Sequence, residues 1–588
     1  MKATSEGQGG AAVAEPELAT PNRQLMAWCG LGVTLLTFAL LAGTVSRMPI
    51  VWDEAYTLSR IDRVRAWFSA MRDPTGFAQT WQPNRFRPLE DRLQAPGAAD
   101  IQSRGNLFKP RILGWFWPFA REEPHGHPPF YAWVALVGDV LLPTALELTR
   151  ARLGTMLAFS LAAGGLFGFI TGRWGLLAGG VSAAAWALHP HLFALGHYAT
   201  YDGLLASLWL GTTLAFATSA EPRTGPLKWR WGWTLLTGLL WGMTLGTKFT
   251  GWFLIAPLAA WCLWRCSRQA WISLAISGAI SLLTFVLITP PLWANPVGGL
   301  IRFFQSNLSR GKTIPIKTLF LGQVYETPTG SLPWYNVAVW VVLATPVLFL
   351  ILELVGIWSA IRQRKGQPTG LLLLLSALTV LVLRSMPHTP GHDGTRQLAV
   401  GLGGLAALAG PGLATLTRHW RLMATRGFAG AALVEGMISL AVYMPVPLAY
   451  YSPLVGGLPG AAALGMEPTF YWDALSDQAL QDLDERTPPG RTVLFASNPI
   501  TWTYRQSGRL RSGTFPFEGR NFAWYVVQNR PGSMGPLEHG LARRLGGRPE
   551  FILAEKFGVP LIWAFPVAEV EAERQQPPVQ PVARGAQR

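Results

Sequence analysis

Long apolar stretches recur along the chain, at roughly 26–46, 129–147, 151–171, 174–190, 200–218, 231–249, 251–266, 271–291, 335–358, 369–384, 396–417 and 428–450. Runs near 20 residues are what a hydrocarbon core ~30 Å thick selects for a crossing helix. The pattern predicts an all-α polytopic membrane protein with about 11–12 transmembrane helices between residues 26 and 450. The first run has no small-residue cleavage site behind it, so it reads as a retained helix after a disordered cytoplasmic N-terminus, residues 1–25. Two polar insertions interrupt the series, at 47–128 and 292–333. From Tyr451 the pattern changes. VLFAS (493–497), FAWYVVQ (522–528) and PLIWAFPV (560–567) read as strands, and PLEHGLARRL (536–545) has helical spacing with proline at its start. Residues 451–571 are therefore expected to form a small α/β domain, and 572–588, rich in Gln, Pro and Arg, a disordered tail. No repeat of fixed period is present.

Composition supports the membrane reading. Charged residues make up 14% and hydrophobic residues 50% of the chain; soluble domains carry about 25% charged residues. The net charge of +16 would suggest nucleic acid in a soluble protein. Here the basic residues cluster between apolar runs, at Arg223/Lys228/Arg230, Arg265/Arg268, Arg362/Arg364/Lys365 and Arg418/Arg421/Arg426. Two apolar runs separate each consecutive pair of clusters, so all four fall on one face, the cytoplasmic one by the positive-inside rule. Both insertions and the C-terminal domain then lie outside, and the protein is expected in the plasma (inner) membrane with an extracytoplasmic site. Trp52, Trp174, Trp231, Trp293 and Trp334 end apolar runs, where indole rings anchor at headgroup level. Cys29, Cys262 and Cys266 lie within apolar runs and offer no disulfide framework.

Five polar segments break the apolar background. VWDEAYTLSR (51–60) places Asp53 and Glu54 at the exit of the first helix. Adjacent carboxylates at a low-dielectric boundary are costly unless paired or used, although a helix start accounts for them equally well. EEPHGHPPFYAW (122–133) brings Glu123, His125 and His127 before a stiff Pro-Pro pair, a plausible set for a divalent metal. HPHLFALGHYATYDG (189–203) holds three histidines and Asp202 at a helix head. TLGTKFTG (244–251) reads as a tight turn carrying Lys248, which either snorkels or meets a lipid phosphate. MPHTPGHDGTRQ (386–397) supplies His388, His392, Asp393 and Arg396. Seven of the nine histidines fall in three of these segments, which favours one shared site.

Together these motifs resemble the membrane glycosyltransferases of the GT-C fold. The similarity is to family 39, the dolichyl- or polyprenyl-phosphate-mannose protein mannosyltransferases, and to the aminoarabinose lipid A transferases. It rests on the Asp-Glu pair after the first helix, the His-Pro-Pro-aromatic start, the Tyr-x-x-x-Asp helix head and the Gly-x-Lys turn, over about residues 25–255. HDGTRQLAVGLGGLAAL (392–408) resembles the family's late Arg-containing helix start. The resemblance implies a glycosyltransferase that moves a sugar from a polyprenyl-phosphate donor to an unidentified glycan, lipid or protein acceptor, inverting the anomer. It implies Asp53 as the catalytic carboxylate with Glu54 in support, His127 near the donor phosphate or a metal, Asp202 as a second site acid, and Lys248 and Arg396 holding the phosphate. No cofactor is required on this reading, with a divalent metal as an option. The rival class is a transporter or flippase of a lipid-linked glycan.

Overall fold

The computed structural model describes residues 23–86, 94–119, 127–221, 227–309, 316–327, 330–389, 391, 394–496, 501–511 and 521–576. The chain is an all-α integral membrane protein with a small α/β domain at its C-terminal end. Among the described residues, seven helices are long and apolar enough to cross a membrane: Gln24–Arg47, Glu147–Trp174, Tyr201–Ala220, Arg268–Leu287, Pro368–Ser385, Arg396–Leu416 and Leu422–Tyr443. Four further passes are shorter or broken. They are Leu176–Ala187 with Pro190–His197, Leu227–Leu245, a 3-10 turn Phe249–Leu254 with Ile255–Arg265, and Asn336–Ala344 with Val347–Arg362. With these, the candidate passes among the described residues number eleven. The breaks at Pro190 and Pro346 follow from the missing proline N–H and from the restriction on the residue before it.

The run expected at 129–147 becomes the helix Phe130–Leu141. Its 12 residues span ~18 Å, too short for a crossing. Gly138 lies against the Arg150 backbone, so this short helix doubles back onto the start of Glu147–Trp174.

Two helices form the core. In Tyr201–Ala220 and Arg396–Leu416, 94% of the most apolar stretch is buried, whereas in the N-terminal helix 11% is, so the rest of the protein leaves that helix's apolar surface uncovered. Ala399–Leu416 carries its neighbours on glycines: Gly403 meets Trp186, Gly404 meets Ala377, Gly410 meets Ala178 and Gly412 meets Leu352. Small residues at such contacts let membrane helices approach closely. Pro411 sits inside this helix and leaves the Ala407 carbonyl without its usual donor. Ser182 Oγ supplies one, donating to Ala407 O at 2.9 Å while accepting from Gly410 N at 2.9 Å.

The described residues of the insertion 47–128 are folded. The helix Trp52–Arg72 runs along it, followed by the short helices Pro74–Gln79 and Pro110–Phe116. Trp67, Trp81, Trp115 and Trp117 close an aromatic core, with Trp67 and Trp117 centroids 5.7 Å apart and Trp81 and Trp115 5.4 Å. The insertion 292–333 holds the helix Pro296–Ser309 and an antiparallel hairpin, β1 (Ile316–Phe320) with β2 (Gln323–Thr327).

The C-terminal sheet contains β3 (Thr492–Phe495), β4 (Phe522–Gln528), β5 (Ile552–Lys556) and β6 (Val559–Pro566), in the order β3-β4-β6-β5. β3 and β4 are parallel and the other pairs antiparallel. The three expected strands and the helix Pro536–Leu545 are present. β5 and the helix Asp477–Arg486 were not expected. Both terminal assignments shift. The first helix begins at Arg23, inside the stretch expected to be disordered, and the helix Val567–Arg574 runs past 572. Residues 1–22 and 577–588 lie outside the described residues.

Candidate active site

Asp53 is the second residue of the helix Trp52–Arg72, whose start is tied down by Trp52 N donating to Tyr471 O at 3.1 Å. Asp202 occupies the first turn of Tyr201–Ala220. Both carboxylates therefore meet the positive end of a helix, a favourable location worth ~0.3–1 kcal/mol. Gly203 packs directly on the Leu195 carbonyl, where a Cβ has no room, so only glycine lets this helix start nest against Pro190–His197. Lys248 follows Leu227–Leu245 in an extended conformation, before the 3-10 turn Phe249–Leu254. Gly246 O accepts from Phe130 N at 3.2 Å, which docks this turn beside His127. Arg396 opens the short 3-10 turn that leads into Ala399–Leu416.

These side chains converge. Lys248 Nζ lies 2.6 Å from Asp202 Oδ1. Arg396 pairs with Asp53 and also reaches Asp202 Oδ2 at 3.4 Å and Tyr471 Oη at 3.3 Å, with its guanidinium 4.7 Å over the Tyr471 ring. His127 rests on the Tyr201 ring, centroids 4.2 Å apart. Asp53, His127, Lys248 and Arg396 line one cavity of about 490 Å³. Its walls also include Arg60, Lys317, Arg384 and Arg530, with Phe249, Phe253, Val380 and Leu383 forming an apolar side. Every one of the five candidates Asp53, His127, Asp202, Lys248 and Arg396 lies at or beside a helix end.

Glu54, expected to support Asp53 in catalysis, turns the other way. It is fully buried against Arg152, with Nε–Oε1 at 2.8 Å and Nη2–Oε2 at 2.7 Å, and accepts from Ala199 N at 2.9 Å. Arg152 also donates to the carbonyls of Val45, Met48 and Pro49 at 2.7–3.0 Å. The pair thus clamps the bend before Asp53.

The expected gathering of histidines also divides. His127 alone lines the cavity among the described residues. His191 lies 2.5 Å from Thr395 Oγ1 and 2.9 Å from Tyr450 O, bracing the turn that carries Arg396. His197 lies 2.8 Å from Thr44 Oγ1 and 3.1 Å from Leu41 O, holding the first helix. His189 is buried beside Thr345, and His388 is exposed. Glu123, His125, His392 and Asp393 lie outside the described residues. Among the described residues no group of three or more His, Cys, Asp or Glu is arranged to hold a metal.

Sequence reasoning missed Tyr56, Arg60, Tyr201, Arg384, Tyr471 and Arg530. Two of these were readable: Asp53, Tyr56 and Arg60 follow i, i+3, i+7 spacing, one face of a helix, and all three line the cavity. Tyr471 and Arg530 come from the C-terminal domain, and no local pattern marks them.

Residues 126–293 match the model of a family described as dolichyl-phosphate-mannose-protein mannosyltransferase. No curated protein sequence matches. Several solved structures are similar. ArnT from Cupriavidus metallidurans in the apo state is 14% identical, covering 93% of this chain and 99% of that one, with a TM-score of 0.47. The same protein bound to undecaprenyl phosphate is 15% identical, covering 92% and 98%, with a TM-score of 0.47. The archaeal oligosaccharyltransferase AglB from Archaeoglobus fulgidus, in complex with an inhibitory peptide and a dolichol-phosphate, is 12% identical, covering 86% and 70%, with a TM-score of 0.49. The stretch similar to the mannosyltransferase family contains three of the converging residues, His127, Asp202 and Lys248.

Proposed function

We propose that the chain is a membrane glycosyltransferase that moves a sugar from a polyprenyl-phosphate-linked donor to an acceptor hydroxyl on the extracytoplasmic face. One observation carries this reading: the Asp53 carboxylate shares a single cavity, lined in part by apolar side chains, with Lys248 and Arg396, cations far from it in sequence that Asp202 holds from behind. The similarity of residues 126–293 to dolichyl-phosphate-mannose-protein mannosyltransferases supports the lipid-linked donor.

The chemistry follows from the side chains. The acceptor oxygen attacks the anomeric carbon and forms the new glycosidic bond. Asp53 accepts the hydroxyl proton. The bond from the anomeric carbon to the phosphate oxygen breaks, and its electron pair leaves with the polyprenyl phosphate. Arg396 and Lys248 meet the growing negative charge on that oxygen, the step at which fixed cations lower the barrier. Asp202 holds both cations in place, and His127, steadied on Tyr201, completes that wall. A single displacement of this kind inverts the anomer. Phe249, Phe253, Val380 and Leu383 suit the first prenyl units.

A carrier would keep ionisable groups near the middle of the bilayer, within broken helices. Here they sit at helix ends, which favours an enzyme. The test is release of polyprenyl phosphate from a panel of radiolabelled polyprenyl-phosphate sugars by the purified chain. Release that disappears in Asp53→Asn is the expected result. Absence of release from every donor, with undecaprenyl phosphate also failing to bind, would overturn the reading.

A further inference from the structure

The cavity has an outer wall that the transfer chemistry leaves unused. Lys317 comes from β1, and Arg530 and Ser533 from the turn that follows β4. This wall is built into the fold. The buried Glu467 carboxylate accepts from Leu319 N at 3.3 Å and pairs with Arg530 Nε at 3.2 Å. One carboxylate thus joins the hairpin to the C-terminal domain and sets the direction of the guanidinium. Arg530 Nη1 also reaches Phe470 O at 3.4 Å. Gly532 lies against Glu467 and Leu319 with no space for a Cβ, so the two elements are in direct contact. An oriented guanidinium, an exposed ammonium and a hydroxyl lining one space form a recognition set for an anion.

We propose that this outer wall is the acceptor subsite, and that the acceptor carries a phosphate or carboxylate close to its nucleophilic hydroxyl. The inference rests on the glycosyltransferase reading. The wall belongs to elements beyond the helix ends, whereas a lipid-linked donor needs the apolar side of the cavity and the cations nearest Asp53. The C-terminal domain then has a defined task, since it supplies half of this subsite.

The probe is glycerol 3-phosphate, with glycerol as the uncharged control. Binding is read by 13C NMR relaxation of 13C-labelled probe and control on the full chain in phosphatidylcholine nanodiscs saturated with undecaprenyl phosphate. Glycerol 3-phosphate is expected to bind beside the lipid, and the relaxation of glycerol to stay as in free solution. Lys317→Met, on the exposed edge of the hairpin, is expected to weaken glycerol 3-phosphate binding about tenfold and to leave undecaprenyl phosphate affinity unchanged. Arg530→Lys keeps the charge beside Glu467 and protects folding, and should weaken the probe as well. Replacing phosphatidylcholine with phosphatidylglycerol separates the sources of the anion. Loss of probe signal there identifies a lipid headgroup, and an unchanged signal a soluble acceptor; either result supports the subsite. Displacement of the probe by undecaprenyl phosphate, or variants that weaken only that lipid, would assign the wall to the donor and overturn the proposal. Failure of undecaprenyl phosphate to bind, with probe binding intact, removes the glycosyltransferase reading itself and the acceptor assignment with it.

Discussion

Asp53 and Glu54 are adjacent in sequence, yet one lines the cavity and the other is locked to Arg152 with neither partner exposed. Substituting the two therefore produces different failures. Asp53→Asn is nearly isosteric and removes the proton acceptor, which typically costs ~10²–10⁴-fold in turnover. Its thermal midpoint should stay close to that of the unmodified protein. Glu54→Gln leaves a buried guanidinium without its counter-charge, a loss on the order of 3–5 kcal/mol, so its midpoint should fall sharply. A thermal shift series with parallel turnover measurements separates them; equal loss of stability in both would refute the division. Lys248→Met tests the opposite charge. Removing its contact with a departing phosphate should raise the KM for the donor and leave acceptor dependence unchanged. If donor dependence does not move, Lys248 serves only to neutralise Asp202. At this scale the sequence was partly legible. The Asp-Glu pair and Lys248 stand out as charges in apolar surroundings. Arg152 did not, because its position near Arg150 looks like a topological charge at a helix start.

At the scale of elements, helices are held by local substitutions for missing backbone bonds. Pro411 is tolerated because Ser182 answers the Ala407 carbonyl. Ser182→Ala leaves that buried carbonyl unsatisfied and should lower stability by ~1–3 kcal/mol, read as a reduced thermal midpoint; no change would mean that the helix repairs the defect itself. A second junction links Trp52–Arg72 to the two elements beside it. Arg65 bonds Asp139 at 2.7 and 2.8 Å, Asp62 at 2.9 Å and Glu147 at 2.5 Å. Burial, and then the neighbouring Glu147, raise the Asp62 carboxyl from its ordinary 3.8 to about 7, against the opposing pull of Arg65. The folded state holds this proton more tightly than the unfolded chain does. Its stabilising contribution is complete below 3.8 and is lost as the pH rises through 7. Asp62→Asn should therefore flatten the fall in thermal midpoint between pH 3.8 and about 7, and an unaltered slope would rule out this group as its source. None of this junction was visible beforehand, because its four charges lie in three segments that only the folded insertion brings together.

For the whole molecule, hydropathy identified nearly every pass, because a bilayer imposes a length and a composition that single segments must satisfy alone. It did not identify the folded insertion, β5 or the tail's contribution to the cavity, which depend on packing between distant segments. Orientation connects the two. Arg173 bonds Glu221 at 2.8 Å, and Glu221 also accepts from Thr369, so the ends of Glu147–Trp174, Tyr201–Ala220 and the start of Pro368–Ser385 meet at one end of the bundle. The basic clusters Arg265/Arg268, Arg362/Arg364/Lys365 and Arg418/Arg421 lie at the matching helix ends. The cavity, the hairpin and the C-terminal sheet occupy the other end, reached after an odd number of passes from Arg23. This arrangement works only because Phe130–Leu141 fails to cross; a twelfth crossing there would put Asp202 and Asp53 on opposite faces. The positive-inside rule predicts a cytoplasmic basic end, and the proposed extracytoplasmic site requires it, since on the outer face a lipid-linked sugar is a usable donor and a nucleotide sugar is not at hand. The prediction is read with single cysteines in a background lacking Cys29, Cys262 and Cys266. Leu146→Cys, 75% exposed at the cavity end, should react with a membrane-impermeant maleimide on intact cells. Arg364→Cys should react only after permeabilisation. The reverse pattern would place the cavity in the cytoplasm and remove the case for an extracytoplasmic acceptor.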